Sequence, residues 1–125
     1  MEREKSIQAE ANESWEFVKK EIAGQIKVLE GKDEKKAEAM REEIQSEALE
    51  AKTKTDFDGS KQYMILLGTG GPAMRIYGEL NEYNEPETAE YQFQNWFTPW
   101  TTADDSRDSA DLLKYAQQYY FDWEA

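Results

Sequence analysis

The sequence predicts an α+β fold of order ααβββα: an N-terminal helical hairpin, a three-stranded antiparallel sheet and a C-terminal helix. Two periodicities carry this prediction. Apolar residues recur every three or four positions before residue 52 and after residue 111, which is the period of one helix face. Between residues 62 and 97 they are continuous or alternate with polar ones, as they do in strands. Helices grouped apart from strands are typical of the α+β class.

The helical hairpin is predicted over residues 1–51. Its first helix carries the clearer apolar stripe. Its apolar residues are spaced three or four apart, at Ile7, Ala11, Trp15, Val18, Ile22, Ile26 and Leu29. Phe17 widens this stripe. Ser6 or Asn12 is the candidate N-cap. Gly31 follows the last apolar residue, where a glycine commonly ends a helix.

The second helix is predicted to start after an Asp33 N-cap, and its stripe is thinner. The members are mostly small residues, namely Ala37, Met40, Ile44, Ala48 and Ala51. Such a thin apolar face favours packing on the first helix alone. The alternative is a homodimer formed through this second helix.

The second half of the chain is predicted to follow a linker at residues 52–61. Its strands are expected at residues 62–68, 73–80 and 88–97, joined by a glycine-rich turn and by a loop at residues 81–86. The continuous apolar run of the first strand suits burial on both faces. In the third strand one face is apolar and the other polar, which is typical of an antiparallel strand with one solvated side.

The final helix follows Pro99, which ends the last strand. Its N-cap candidates are Thr101, Thr102, Asp104 and Asp105. Its apolar arc is wide and comprises Leu112, Leu113, Tyr115, Ala116, Tyr119, Tyr120 and Trp123. This helix is therefore expected to lie against the sheet.

The 125 residues are expected to form a single domain, in which the sheet and last helix occupy residues 62–125. The net charge of −12 repels nucleic acid and anionic membranes and favours a basic partner. There is no cysteine and no histidine, which excludes disulfides and zinc–thiolate sites and removes the commonest general base. The N-terminus lacks a signal-peptide core, and the longest apolar run, Tyr63–Leu67, is too short to span a bilayer. We expect a soluble, cytoplasmic protein.

Three motifs that suggest chemistry have simpler structural explanations. The segment Gly68–Pro72 lacks the spacing of a phosphate-binding loop and is predicted to be a hairpin turn with a positive φ. Glu79 and Glu90 are expected to face each other across a hairpin as solvated glutamates, not as an acid–base pair. The loop Asp56–Gly59 lacks the downstream glutamate of a calcium site. We predict no catalytic residue, metal site or cofactor; the alternative is an enzyme that uses only carboxylate, lysine or tyrosine chemistry.

The segment Ile76–Ser106 interleaves acidic and aromatic residues and contains no lysine or arginine. Because ordinary surfaces mix both signs of charge, we predict a partner-binding surface on one face of a hairpin and its exit loop. Some of its aromatics are assigned to the core, namely Tyr91, Phe93 and Phe97. The predicted partner-binding residues are Glu79, Glu82, Glu85, Glu87, Glu90, Trp96, Trp100, Asp104 and Asp105, with the two tryptophans as exposed anchors.

Part of this region resembles small accessory proteins carried by phages and mobile elements. The resembling residues are Leu66-Leu67-Gly68, Gly70-Gly71-Pro72, Arg75-Ile76-Tyr77-Gly78-Glu79-Leu80 and the Trp96–Trp100 region. The resemblance implies a small, acidic, cysteine-poor product of the anti-CRISPR or antirestriction kind, which blocks host defence by occupying a nucleic-acid-binding groove. It implies no catalytic residue.

Charge and resemblance together predict a non-enzymatic inhibitor that binds a basic groove of a nucleic-acid-handling complex. A CRISPR effector is the favoured partner, with the carboxylates acting as surrogates for phosphates. The alternative is a protein–protein interaction or assembly module of a phage or mobile element. Direct binding to nucleic acid or to a membrane is not expected.

Overall fold

The computed structural model describes residues 6–96 and 98–121. In this part of the chain three helices and a five-stranded antiparallel sheet form an α+β fold, so the predicted class is confirmed and the predicted strand number is wrong. The helices are α1 (Ile7–Leu29), α2 (Glu34–Glu47) and α3 (Ala110–Ala116), with a 3-10 turn at Ser106–Asp108. The strands are β1 (Glu50–Thr55), β2 (Lys61–Gly68), β3 (Ala73–Leu80), β4 (Glu90–Gln94) and β5 (Thr101–Thr102). No helix in these residues is long and apolar enough to cross a membrane.

Both strands that the sequence prediction missed lie at the edges of the sheet, whose order is β1-β2-β3-β4-β5. The predicted linker at residues 52–61 contains most of β1 and the turn that leads into β2. Five of the six β1 residues are exposed, so this strand has no apolar alternation to detect. Strand β5 has two residues, which pair with Gln92 and Phe93 of β4. The sequence analysis had predicted these two threonines as N-cap candidates of the last helix.

The two N-terminal helices begin at hydrogen-bonded caps. Ser6 accepts a bond from the backbone of Ala9, and Asp33 accepts one from Lys36, which satisfies amides that a helix start leaves unpaired. Helix α2 ends at Glu47, short of the predicted end at Ala51, which lies in β1.

Helix α2 packs on more than α1, contrary to the sequence prediction. Gln45 donates to the Gln118 carbonyl oxygen at 2.7 Å, and the Tyr119 hydroxyl donates to the carbonyl of Ile44. Burial raises the pKa of Tyr119 to about 12, so this hydroxyl stays a neutral donor. The buried Ile44 therefore lies between α1 and the chain that follows α3, and the homodimer through α2 stays a prediction.

Within the described residues, the helices cover one face of the sheet and leave the other uncovered. The core between helices and sheet contains Trp15, Ile22, Ile26, Ile44, Tyr63, Ile65, Ile76, Tyr91 and Leu112, all buried. Trp15 of α1 contacts Tyr91 of β4 with ring centroids 5.5 Å apart. Phe17 was predicted to widen this apolar stripe, but it is exposed. The residues that face away from the helices form the outer face, and they include Met64 and Leu66, which are only half-buried; β2 is therefore not buried on both faces.

The last predicted strand and helix are shorter than expected. Strand β4 stops at Gln94, and Trp96 has a φ of 53°, so it does not continue the alternation. Helix α3 ends at Ala116, and its N-cap is Ser109, not one of the four predicted residues. Tyr119 and Tyr120 lie beyond it, whereas two further residues assigned to the core and the last helix, Phe97 and Trp123, lie outside the described residues.

Candidate binding surface

Four of the predicted carboxylates lie close together at the end of β3 and in the connection from β3 to β4. We call the segment from Glu79 to Glu87 the acidic turn; its glutamates are exposed and comprise Glu79, Glu82, Glu85 and Glu87. No ion pair to any of the four occurs within residues 6–96 and 98–121. The nearby Lys61 donates instead to the side-chain oxygen of Asn84 at 2.8 Å. The acidic turn therefore presents a concentrated negative charge that the described part of the chain does not neutralise.

Hydrogen bonds hold the acidic turn in one conformation. The side-chain oxygen of Asn81 accepts bonds from the backbone amides of Tyr83 and Glu85, at 2.8 and 3.0 Å. Asn84 adopts a left-handed conformation with φ 62°, which asparagine tolerates better than most residues. Pro86 is buried, and its carbonyl accepts a bond from Gln117, just after α3. Such a segment loses little conformational entropy when a partner binds.

A cleft of about 490 Å³ borders the acidic turn. Its rim carries two exposed tyrosines, Tyr83 and Tyr120, with 71% and 75% of their surface accessible. Pro86 and Phe121 contribute to the lining. Exposed aromatic side chains beside a single-sign charge are typical of protein-binding surfaces. The sequence analysis did not predict either tyrosine as a binding residue. In the turn that contains Tyr83 it selected only the glutamates, and it assigned Tyr120 to the apolar arc of the last helix.

Glu90 is not part of this exposed charge. It lies opposite Tyr77 on the outer face, not opposite Glu79 as predicted, and its carboxylate accepts bonds from Arg107 at 2.8 Å, from Gln92 at 2.6 Å and from Thr102. Burial opposes ionisation of Glu90, but these three hydrogen bonds outweigh it and lower the pKa below its ordinary value. Glu90 therefore acts as a structural anion that joins β4 to β5.

We expect the Glu90→Gln substitution to destabilise the fold at neutral pH and to have little effect in acid. A depressed folded-state pKa contributes stability above the unfolded value of about 4.3, and this contribution is lost as pH falls through the folded value. Since Arg107 is exposed, the difference at about pH 7 is expected to be about 1 kcal/mol. Urea unfolding at several pH values measures it; a difference that stays constant down to about pH 3 contradicts the assignment. Glu87→Gln serves as the exposed control.

Asp104 and Asp105 lie beside the start of α1 and not in the acidic turn. Asp104 accepts a bond from Asn12 at 2.9 Å, while its own amide donates to the Asn12 side chain at 2.8 Å. Asn12 therefore joins α1 to the end of β5; the N-cap of α1 is Ser6. Asp105 is exposed in a left-handed turn with φ 66°. These contacts give Asp104 a structural role.

The two predicted tryptophan anchors also lie apart from the acidic turn. Trp96 is exposed over 71% of its surface, but its ring lies on Gly71, where a Cβ atom would come within 2.1 Å of it. Gly71 precedes β3 and the acidic turn begins near the end of this strand, so about eight residues at about 3.3 Å each separate them. Trp100 is half-buried and stacks on Arg75, with 4.2 Å from the guanidinium carbon to the ring centroid. The nine predicted residues therefore do not form one continuous patch.

The motifs that were given simpler explanations lie in turns between strands. Gly70 has a φ of 110° in the turn between β2 and β3, which confirms the predicted positive φ. In the turn between β1 and β2, Asp58 accepts bonds from the backbone and the hydroxyl of Ser60, at 2.9 and 2.7 Å. No group of three or more acidic residues within residues 6–96 and 98–121 is placed to hold a metal ion.

Comparison of the chain with models of protein families, with curated proteins and with solved structures finds no match. The acidic turn and its cleft are therefore the features of the molecule that bear on function.

Proposed function

We propose that this protein is a non-enzymatic inhibitor that binds a basic, nucleic-acid-binding groove of a host defence complex through its acidic turn. One observation carries the proposal: four exposed carboxylates without an ion pair in the described residues lie on a segment fixed by hydrogen bonds. A groove that binds nucleic acid is lined with lysine and arginine, and such side chains complement this charge. Carboxylates at fixed spacing then occupy positions that phosphates take in the natural ligand.

The binding energy is expected to come from two sources. Each exposed ion pair contributes only about 0.2–1 kcal/mol, so the glutamates act mainly on the association rate and on the choice of partner. Tyr83 and Tyr120 supply apolar area, and their rings suit stacking with arginine or lysine of the partner. The resemblance of residues 66–100 to anti-CRISPR and antirestriction proteins makes a CRISPR effector the first partner to test.

Charge reversal in the acidic turn tests this proposal. We expect the triple substitution Glu82→Lys, Glu85→Lys and Glu87→Lys to weaken binding to the effector by about 10- to 100-fold, mainly through slower association. Binding kinetics at low and high salt and inhibition of target cleavage are the measurements. For the unsubstituted protein, affinity should fall as salt rises.

A matched triple on α2 separates local charge from net charge. Glu34→Lys, Glu42→Lys and Glu43→Lys change the net charge by the same amount, and all three residues are exposed. This control should keep most of the affinity, because it leaves the acidic turn intact. Equal losses in both triples, or full binding by a folded acidic-turn triple, would show that the acidic turn is not the binding site.

A further inference from the structure

The outer face of the sheet carries a basic cleft on an otherwise acidic protein. The cleft has a volume of about 270 Å³ and is lined in part by Lys52, Lys54, Arg75, Met64 and Tyr77, with no carboxylate in its lining. Four other clefts in the described residues each have at least one glutamate in their lining. Acids outnumber bases 27 to 15 in this chain, so a lining with three cations and no acid is unusual for its surface. Glu50, Glu79 and Glu90 lie on the same face, just outside this lining.

Strand register explains how these residues come together. Lys52 of β1 pairs with Met64 of β2, which in turn pairs with Tyr77 of β3. Side chains of directly paired residues lie on the same face of a sheet, and Lys54 and Arg75 lie two residues along from Lys52 and Tyr77 on the same face. No helix covers this face in the described residues, so the cleft opens to solvent.

Arg75 is held in place but lacks a counter-ion. Its Nε donates to Gln92 at 2.7 Å, and its guanidinium carbon lies 4.8 Å from the Tyr77 ring centroid and 4.2 Å from that of Trp100. Within residues 6–96 and 98–121 no carboxylate is at ion-pair distance, and no acceptor is bonded to its two terminal nitrogens. Burial lowers the pKa of Arg75, while Tyr77 and Glu90 partly oppose this; an arginine nevertheless remains charged in proteins.

Glu90, whose charge acts on Arg75, does not meet this need, because its carboxylate already accepts bonds from Arg107, Gln92 and Thr102. A partly desolvated guanidinium with fixed orientation and unoccupied terminal donors suits a bidentate oxyanion. Lys52 pairs only with the exposed Glu50, at 3.1 Å, and such a pair is easily exchanged for a stronger one.

We propose that this cleft binds a small phosphate monoester, with Arg75 as the bidentate donor and Lys52 and Lys54 as the two further charges. Three cations fit the dianion of a phosphate ester better than the single charge of a carboxylate. The cleft is a separate site from the acidic turn, which begins at Glu79, four residues along β3 from Arg75.

Titration of the full chain with methyl phosphate tests the proposal, followed by NMR of the Arg75 Nε–H group and the β1–β3 amides. At about pH 8 the ester is a dianion, and we expect saturable shifts confined to the cleft, against a sodium chloride control at equal ionic strength. Acetate in a parallel titration should bind about tenfold more weakly. Equal or tighter binding of acetate would overturn the phosphate assignment in favour of a carboxylate ligand.

Substitutions of the three cations test whether they bind the phosphate ester. Lys52→Gln with Lys54→Gln changes exposed side chains and should weaken methyl phosphate binding by about tenfold, whereas Lys35→Gln with Lys36→Gln on α2 should leave it unchanged. Arg75→Lys keeps the charge but removes the bidentate fork, and a loss of about tenfold is expected there as well. Absence of saturable shifts in the unsubstituted protein, or equal effects of the two lysine pairs, would refute the site.

Discussion

Replacing Gly78 by alanine is expected to lower the free energy of unfolding by about 3 kcal/mol or more, which is large for one methyl group. A Cβ atom at this position would lie 2.0 Å from the Thr88 carbonyl oxygen and 2.9 Å from the Tyr63 ring. Thr88 cannot move away freely, because its carbonyl accepts a bond from the Tyr63 hydroxyl at 2.7 Å and its own hydroxyl accepts one from the Glu79 amide at 2.9 Å. The methyl group therefore displaces the backbone of Thr88, although two hydrogen bonds hold it in place.

Urea unfolding followed by circular dichroism measures this effect, and Gly24→Ala provides the matched control. Gly24 lies within α1, and an added Cβ would meet nothing within 4 Å. Since glycine is unfavourable inside a helix, this substitution should stabilise the protein by about 0.5–1 kcal/mol. A Gly78→Ala protein as stable as the unsubstituted chain would contradict the close approach of Thr88.

The same substitution connects stability to the binding surface. Thr88 and Glu79 tie the end of the acidic turn to β3, and the Glu87 amide donates to the Glu79 carbonyl at 2.8 Å. A shift of Thr88 therefore reorients the acidic turn. If the Gly78→Ala protein still folds, it should bind the partner more weakly than the unsubstituted protein, even under conditions in which it is fully folded.

Trp15→Ala is expected to cost about 3–5 kcal/mol, as is usual for loss of a buried tryptophan. Trp15 is only 3% exposed and lies between α1 and the sheet, where its ring contacts Tyr91. The adjacent Ser14 hydroxyl shares a hydrogen bond of 2.7 Å with the Tyr91 hydroxyl, so this part of α1 attaches to β4 near its start. Removal of the indole leaves a cavity at the main contact between the helical and sheet layers.

Phe17→Ala is the control for this second prediction. Phe17 is another large aromatic residue, two positions along the same helix, but it is 72% exposed. Its substitution should change the free energy of unfolding by no more than about 0.5 kcal/mol. Chemical unfolding of both variants gives the comparison, and similar losses in the two proteins would show that α1 packs by a different face.

The contrast between Trp15 and Phe17 illustrates how far the sequence alone predicts the fold. A spacing of three and four residues placed Trp15 in the core, because helix geometry is local and repeats along the chain. Phe17 was placed in the same stripe by proximity, although two residues in a helix point about 200° apart. The same local logic located β2 and β3, whose residues are mostly apolar, but not β1, whose lysines and threonines need the pairing of Lys52 with Met64 to form a strand.

The candidate site was predictable in part. The exposure of Glu82 and Glu85 follows from their place in a turn, and the structure agrees. The role of Glu90 does not follow from its neighbours in sequence, because Arg107 lies just beyond the segment that contains no base. Arg75 flanks its other end and stacks on Trp100. Arg75 and Arg107, which flank the acidic segment in sequence, thus contact residues within it. Arg107 pairs with Glu90 and Arg75 stacks on Trp100, so neither Glu90 nor Trp100 is a fully exposed binding residue.

By itself, the sequence determined the α+β class, the start of the second helix and the acidic character of the β3–β4 turn. Each of these depends on interactions within a few residues, such as helix periodicity, side-chain caps and turn preferences. Only the tertiary structure decided which charges remain without an ion pair. The carboxylates of the acidic turn have none in the described residues, whereas Glu90 accepts bonds from Arg107, Gln92 and Thr102. A basic cleft forms on the outer face of the sheet. Those pairings join residues distant in sequence, and strand register brings them together.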